Sequence, residues 1–116
     1  MAKNKSSYMD DQSWTDVRDG MRIDWDVPIP MDDGVVLRCD VYRPIKNGKY
    51  GVIMTLGPYG KFLHFNEIYA DQFDRMCEDF PEVPSESTNN YQNWEVVDPE
   101  KWVPDDYVCI RVDSRG

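Results

Sequence analysis

Two stretches near the start of the chain alternate apolar and polar residues with a period of two. The apolar positions are Met21, Ile23, Trp25 and Val27 in the first stretch, and Val35, Leu37, Cys39 and Val41 in the second. This period is typical of strands with one buried face. Between them lies Pro30–Gly34, whose Asp-Gly dipeptide is a strong turn signal. We therefore predict a hairpin with one apolar face and one face in water.

Two later segments are apolar without alternation. Val52–Leu56 and Tyr107–Val112 are short and nearly continuous in their apolar character. Such runs are typical of strands buried on both faces, as in parallel sheets. The sequence Gly57-Pro58-Tyr59-Gly60 ends the first run, because proline cannot donate to a strand ladder.

A helical period follows between residues 66 and 80. One stripe of a 3.6-residue repeat contains Tyr69, Phe73, Met76, Cys77 and Phe80. We predict a helix over Asn66–Phe80, with Asn66 as its N-cap and Pro81 as its end. Residues 81–93 are predicted to be a surface loop. Asp98–Trp102 is predicted to open a short helical turn with Pro99 at its first position.

The order of these elements predicts the fold class. A hairpin followed by strand, helix and strand is the beginning of a doubly wound α/β sheet. The 116 residues allow one small domain, which we place at 21–116. Residues 1–20 are polar and are expected to form a loose arm that packs through Trp14. The chain stops at the tip of a strand, so we expect the domain to be incomplete.

Composition and charge narrow the classes of partner. With 41% hydrophobic and 13% aromatic residues, the chain is of globular type. Its net charge of -9 divides into -1 over residues 1–58 and -8 over residues 59–116. An acidic surface repels phosphate groups, so we expect neither nucleic acid nor an anionic membrane as a partner. The sequence contains neither the apolar stretch of a signal peptide nor a run long enough to span a membrane, which predicts a cytoplasmic protein.

The three cysteines predict neither a disulfide framework nor a metal site. Cys39, Cys77 and Cys109 are odd in number, far apart and without a C-x-x-C pair. Isolated cysteines with apolar neighbours are typical of small core residues in a reducing compartment. No metal and no cofactor are predicted.

Two residues invite a catalytic interpretation and are set aside. Ser114 follows a buried strand, but a nucleophile elbow needs small residues two positions to either side. Gly116 meets that need and Val112 does not, which favours a loop serine. His64 is the single histidine. It is expected to be structural or at the rim of a site, because a catalytic base needs a nucleophile and an orienting carboxylate beside it.

Three segments together resemble one family. They are IPMDDGVVLRCDVYRP (Ile29–Pro44), VIMTLGPYGK (Val52–Lys61) and WVPDDYVCIRVDSRG (Trp102–Gly116). In this order and spacing they are similar to the first strands of the X-prolyl dipeptidyl-peptidase and cocaine esterase-like acyl hydrolases. The resemblance implies the N-terminal portion of an α/β-hydrolase fold, in which an antiparallel hairpin leads into a mostly parallel sheet.

The resemblance also implies an activity and a site. The family members are serine hydrolases that act on acyl esters, amides or X-Pro peptides. The tyrosine of their Pro-Tyr loop donates its hydroxyl to the oxyanion hole, and here that residue is Tyr59. Their nucleophile, acid and base lie further along and have no counterpart in this chain. The chain alone is therefore expected to be inactive.

Asp113 and Arg115 flank the last turn. We interpret them as a pair that supports the site through a charge-assisted hydrogen bond. A solvated pair on a turn is the alternative.

A second function remains open. A small non-catalytic domain with an acidic, aromatic-rich second half can bind a basic or proline-rich partner. The sequence leaves open the acyl substrate, the choice between peptidase and esterase, and the oligomeric state.

Overall fold

The computed structural model describes residues 13–57 and 60–114. Within these residues the strands are β1 (Trp14–Arg18), β2 (Met21–Pro30), β3 (Val36–Arg43), β4 (Gly51–Gly57) and β5 (Tyr107–Asp113). The helices are α1 (Phe65–Ile68), α2 (Ala70–Asp79) and α3 (Pro99–Trp102), and a 3-10 turn (Val103–Asp105) follows α3.

The strands form one mixed sheet in the order β1-β2-β3-β5-β4. The pairs β1–β2, β2–β3 and β3–β5 are antiparallel, whereas β4 and β5 are parallel. An antiparallel hairpin therefore leads into a parallel pair, and the connection between the parallel strands contains α1, α2 and α3. The predicted α/β class is confirmed.

The predicted hairpin is formed by β2 and β3. The amide of Met31 donates to the carbonyl of Val35 at 2.8 Å, and the amide of Gly34 donates to Met31 at 3.0 Å. Gly34 has a φ of 89°, which a residue without a β-carbon adopts without strain. The turn therefore lies where the Asp-Gly dipeptide predicted it.

A β-bulge at Asp26 breaks the predicted alternation in β2. Asp24 pairs with Val41 and Val27 with Cys39, so β2 has one residue more than β3 between these pairs. Asp26 has a φ of 52°. The prediction that Val27 shares a face with Trp25 is wrong, because the extra residue sends Val27 to the opposite face.

The main cluster of buried residues lies on one face of the sheet. It consists of Met21, Ile23, Tyr42, Tyr91, Val103 and Cys109, with Trp25 and Val97 packed against it. The connection between α2 and β5 covers this face, which combines the predicted apolar side of β2 with the side of β3 that we expected to face water, because Ile23 pairs with Tyr42. That expectation is wrong for Asp40 and Tyr42, which are only 2% and 1% exposed.

Strand β4 differs from its prediction. Val52, Met54 and Leu56 are 57%, 62% and 61% exposed, whereas Ile53 and Thr55 are half-buried. The prediction that both faces of this strand are buried is therefore wrong. It lies at an edge of the described sheet, and its outward side chains remain in contact with solvent.

The start of the described chain belongs to the sheet. Strand β1 pairs along its whole length with β2, and Trp14 stacks on Trp25 at 5.6 Å between ring centroids. The prediction of a loose arm is therefore wrong for Trp14–Arg18. The contact through Trp14 is present as expected, and residues 1–12 lie outside the described part of the chain.

The predicted single helix is divided in two. Tyr69, with φ and ψ of -126° and 55°, separates α1 from α2, and His64 rather than Asn66 occupies the N-cap of α1. The predicted stripe is half-buried at Tyr69, Phe73, Met76 and Cys77, while Phe80 is exposed. The third helix matches its prediction, with Pro99 in its first turn and the Asp98 carboxylate accepting from the Glu100 amide at 3.2 Å.

Two of the three cysteines lie in the interior. Cys39 and Cys109 are buried and Cys77 is half-buried, and all three are free thiols. Burial raises the pKa of the Cys109 thiol to about 11. Cys39 and Cys109 are thus small core residues, as predicted. None of the helices in the described residues has the length and apolar character needed to cross a membrane.

Candidate functional site

The carboxyl ends of β4 and β5 meet at one edge of the sheet. Gly57 pairs with Asp113 at the last position of the parallel ladder. In open α/β sheets, ligands bind in the crevice at this end of the strands. A cavity of about 200 Å³ lies there, and its lining includes Thr55, Lys61 and Asn93. This edge is the candidate site.

Three residues were assigned to the site from the sequence. Tyr59 and Arg115 lie outside the described residues. Asp113 is half-buried at the end of β5, and its Oδ1 accepts a hydrogen bond from the Lys61 amide at 2.8 Å. The carboxylate of Asp113 therefore binds the chain segment that leaves β4, whereas its predicted pairing with Arg115 stays a prediction.

Lys61 has a buried side chain that reaches two carboxylates of the hairpin. Its ammonium lies 3.2 Å from Oδ1 of Asp40 and also contacts Oδ1 of Asp26. The side chains of Lys61 and Asp40 are only 8% and 2% exposed. The same Oδ1 of Asp40 accepts a hydrogen bond from the Asp26 amide at 3.0 Å. The three residues form a connected group, which we call the Lys61 cluster.

Burial and charge act in opposite directions in the Lys61 cluster. Burial raises the pKa of the Asp40 carboxyl, although the Asp26 amide and the Lys61 ammonium act to lower it. Burial also lowers the pKa of Lys61, but the hydrogen bond with Asp26 and the charge of Asp40 outweigh it and raise that pKa overall. The ammonium is therefore held in its charged form.

Asn93 holds the other side of the same segment. Its Nδ2 donates to the Lys61 carbonyl at 2.9 Å and to the Gly60 carbonyl at 3.3 Å. Asn93 is only 6% exposed and forms an isolated bridge with His64. The segment that leaves β4 is thus bound to β5, to the hairpin and to the connection before α3.

Arg111 lines the cavity but belongs to the core. Its Nη2 donates to the Val97 carbonyl at 2.9 Å. Its Nε and Nη1 are shielded from solvent and have no hydrogen-bond partner in the described part of the chain. Burial lowers the pKa of the guanidinium. Arg111 is therefore a buried residue whose side chain also lines the cavity.

The structure places Ser114 and His64 in separate elements. Ser114 is exposed directly after β5. The backbone carbonyl of His64 accepts the amides of Glu67 and Ile68 at the start of α1. Within the described residues no hydrogen bond joins the two side chains, so they do not form a nucleophile and base pair.

Sequence reasoning missed the Lys61 cluster and Asn93. Alternation assigned Asp40 to the water-facing side of the hairpin, and the left-handed backbone of Asp26 leaves no signal in the sequence. One signal was available in Tyr42, a large aromatic residue on the side expected to face water. It indicated that both faces of β3 are covered near Asp40.

Comparison with solved structures identifies similar proteins. Two crystal structures of a CocE/NonD family hydrolase from Staphylococcus aureus superpose with TM-scores of 0.59 and 0.58, at 32% and 30% sequence identity. Each match covers 79% of this chain and 15% of the solved chain. The chain thus spans about 15% of the length of these relatives. A comparison with curated proteins finds no significant match.

A family model gives the assignment. The model for the X-Pro dipeptidyl-peptidase (S15 family) matches residues 33–116. This range contains β3, β4 and β5, and with them the edge that forms the candidate site. The resemblance noted in three sequence segments is confirmed. The chain therefore belongs to the X-Pro dipeptidyl-peptidase S15 family.

Proposed function

We propose that this chain is the N-terminal part of a serine hydrolase that cleaves acyl esters or amides, X-Pro peptide bonds included. The observation that carries the proposal is the family match over residues 33–116. The hydrolase name of the structural relatives supports it. The substrate is then a small acyl ester, an amide or a peptide.

In this proposal Tyr59 is the oxyanion-hole donor. Acyl transfer develops negative charge on a carbonyl oxygen, and a fixed hydroxyl donor stabilises that charge in the transition state. The flanking residues support this role, since Gly57 pairs with Asp113 and Lys61 donates to the same residue. Both therefore lie at the edge of the sheet where ligands of α/β sheets bind.

The remaining roles divide between this chain and the rest of the protein. Asp113 and Arg115 support the site, and the hydrogen bond from Lys61 to Asp113 favours such a role for Asp113. The serine nucleophile, the acid and the base come from residues outside this sequence. The chain alone should therefore match a buffer blank on nitrophenyl esters and X-Pro amides, because a hydroxyl needs an activating base. The two buried free thiols support a cytoplasmic location.

The alternative of a non-catalytic binding domain has less support. Three aromatic residues of the second half pack against one another, with Trp94 at 5.0 Å from Phe65 and 4.8 Å from Tyr69 between centroids. These three side chains are engaged within the chain, which leaves less aromatic surface for a partner.

The proposal is tested with Tyr59→Phe in the longer protein. Loss of one oxyanion donor lowers kcat by about 10²–10³ in other enzymes. We expect a similar loss here with little change in KM, because only the transition state carries the charge. Tyr107→Phe is the matched control, since it removes a hydroxyl at the opposite end of β5. An unchanged kcat in Tyr59→Phe, or loss of folding, contradicts the assignment.

A further inference from the structure

Building on the proposed function, we infer that Lys61 is a positioning residue for the oxyanion hole. It ties the segment that carries Tyr59 to the β2–β3 hairpin through a buried ammonium. Lys61 touches neither substrate nor reacting atoms in this role. It acts by fixing where the segment leaves the active-site edge, and the inference depends on Tyr59 only for its effect on the rate.

The backbone of Lys61 is held on both sides. Its amide donates to the Asp113 carboxylate at 2.8 Å, and its carbonyl accepts from Asn93 at 2.9 Å. Asp113 is also the ladder partner of Gly57. One residue at the end of β5 therefore holds both ends of the five-residue segment 57–61, which has Tyr59 at its centre.

The side chain adds a tie to a distant part of the sequence. A buried ammonium is stable only when it is paired, because removal of its partners leaves an uncompensated charge. Asp40 and Asp26 provide this pairing, and Asp40 is 2% exposed. Movement of Lys61 away from the hairpin would leave the buried Asp40 carboxylate without its cationic partner. The segment is thus fixed to β3 as well as to β5.

The bulge in β2 brings the second carboxylate into place. Asp26 has a left-handed backbone with a φ of 52°, and its amide donates to the Asp40 carboxylate at 3.0 Å. Its carbonyl accepts from Arg38 Nη1 at 3.0 Å. These bonds hold Asp26 on the side of the sheet that carries Asp40. The β-bulge at Asp26 is therefore also part of the ion-pair group that anchors Lys61.

Such an anchor matters for the reaction because oxyanion donors act through preorganisation. A donor that is already in place costs no reorganisation as charge develops. Displacement of a positioned group by about 1 Å can cost on the order of 10² in rate. Fixing both ends of a short segment limits the conformations that its central residue can adopt.

The test compares Lys61→Met with Lys61→Arg in the longer protein. Methionine keeps most of the length of the side chain and removes the charge, whereas arginine keeps the charge. We expect Lys61→Met to lower kcat roughly 10- to 100-fold with a smaller change in KM. We also expect faster hydrogen exchange of the amides between residues 57 and 63, and partial rescue of both by arginine.

A matched control separates positioning from general loss of an ion pair. Arg43→Met removes the 2.9 Å contact with Asp24 in the same hairpin, away from the 57–61 segment. It should leave kcat and the exchange of residues 57–63 unchanged. Exchange that is unaltered in Lys61→Met, or raised equally in Arg43→Met, overturns the inference. If Lys61→Met does not fold, Asp26→Asn replaces it under the same criteria, because the Asp26 side chain is 44% exposed.

A double variant distinguishes this inference from the proposed function. If Lys61 acts through Tyr59, Lys61→Met should lower kcat less in a Tyr59→Phe background than in the native one. If the decreases in kcat caused by Lys61→Met and Tyr59→Phe are fully additive, Lys61 does not act through Tyr59. If Tyr59→Phe alone leaves kcat unchanged, the proposed oxyanion role fails, and the hydrogen-exchange result still decides whether Lys61 fixes the segment.

Discussion

The guanidinium of Arg111 lies 5.1 Å from the centre of the Tyr42 ring on the buried face of the sheet. The two residues are only 3% and 1% exposed. Burial raises the pKa of the Tyr42 hydroxyl to about 12, although the positive charge of Arg111 acts to lower it. Loss of water around the hydroxyl therefore outweighs the neighbouring cation, and the folded core favours the neutral form of the tyrosine.

The first prediction concerns alkaline pH. The pKa of Tyr42 rises from 10.0 to about 12 on folding. Between these values the folded chain keeps a proton that the unfolded chain loses, so stability present below pH 10 is lost as the pH approaches 12. Tyr42→Phe should flatten this decline in the free energy of unfolding, measured by urea titration with tryptophan fluorescence.

For the native protein and for Tyr42→Phe, the free energy of unfolding is compared across pH within each protein. Cys109, with a pKa raised from 9.0 to about 11, should still produce an earlier decline in the Tyr42→Phe variant. Equal slopes between pH 10 and 12 in the native protein and the variant would show that Tyr42 does not titrate on unfolding.

The second prediction concerns the buried carboxylate of Asp40. Asp40→Ala removes a partner of the Lys61 ammonium and the acceptor of the Asp26 amide. We expect a loss of about 3 kcal/mol in the free energy of unfolding, because breaking a buried pair leaves an uncompensated charge. Asp40→Asn should cost less, since its amide oxygen can still accept both bonds. Urea titration measures both.

The control for Asp40 is an exposed pair in the same sheet. Asp16 lies 3.4 Å from Arg18, and their side chains are 35% and 49% exposed. Asp16→Ala should change stability by less than about 1 kcal/mol, as exposed ion pairs do. Similar losses in Asp40→Ala and Asp16→Ala would mean that the Lys61 cluster contributes nothing beyond a surface pair.

The third prediction concerns association of the isolated chain. Val52, Met54 and Leu56 form an exposed apolar stripe on β4. Exposed apolar surface beside an open strand edge favours self-association. We expect chain 1–116 to sediment above its monomer mass and to bind a hydrophobic dye. Met54→Glu should reduce both effects with little change in stability, because the Met54 side chain is 62% exposed.

Charge alone can reduce association, so the control adds the same charge elsewhere. Asn47→Glu places one negative charge in the exposed turn before β4. It should leave sedimentation and dye binding close to those of the native chain. A monomeric native chain without dye binding would contradict this prediction and would weaken the proposal that the chain is part of a longer hydrolase.

The elements of the fold follow from local patterns, whereas their environments depend on distant residues. Alternation and the Asp-Gly turn predicted the β2–β3 hairpin because both signals lie within a few residues of each other. Burial of Tyr42 depends on Tyr91 and Val103, which reach it from about half the chain away. Alternation within β3 contains no information on that contact. The exposure of β4 likewise depends on what lies beside the strand.

The meeting of the two strand ends was predictable from the sequence, whereas the contacts around them were not. The ends of Val52–Leu56 and Tyr107–Val112 were predicted to meet at one edge of the sheet, and Gly57 pairs with Asp113 there. The anchoring by Lys61 depends on a left-handed residue, Asp26, whose conformation the sequence did not indicate. Tyr59 and Arg115 lie outside the described residues, so their roles stay predictions.

The bulge at Asp26 adds one residue to β2 and so changes which of its side chains face each side of the sheet. Before it, Ile23 and Trp25 point into the layer that contains Tyr91; after it, Val27 and Ile29 point into the opposite layer. A single strand therefore contributes to the packing on both sides of the sheet without crossing it. Deletion of Asp26 would remove the bulge but leave Val27 opposite Cys39, so the faces occupied by Val27 and Ile29 would stay the same. The deletion would instead remove the amide that donates to the buried Asp40 carboxylate.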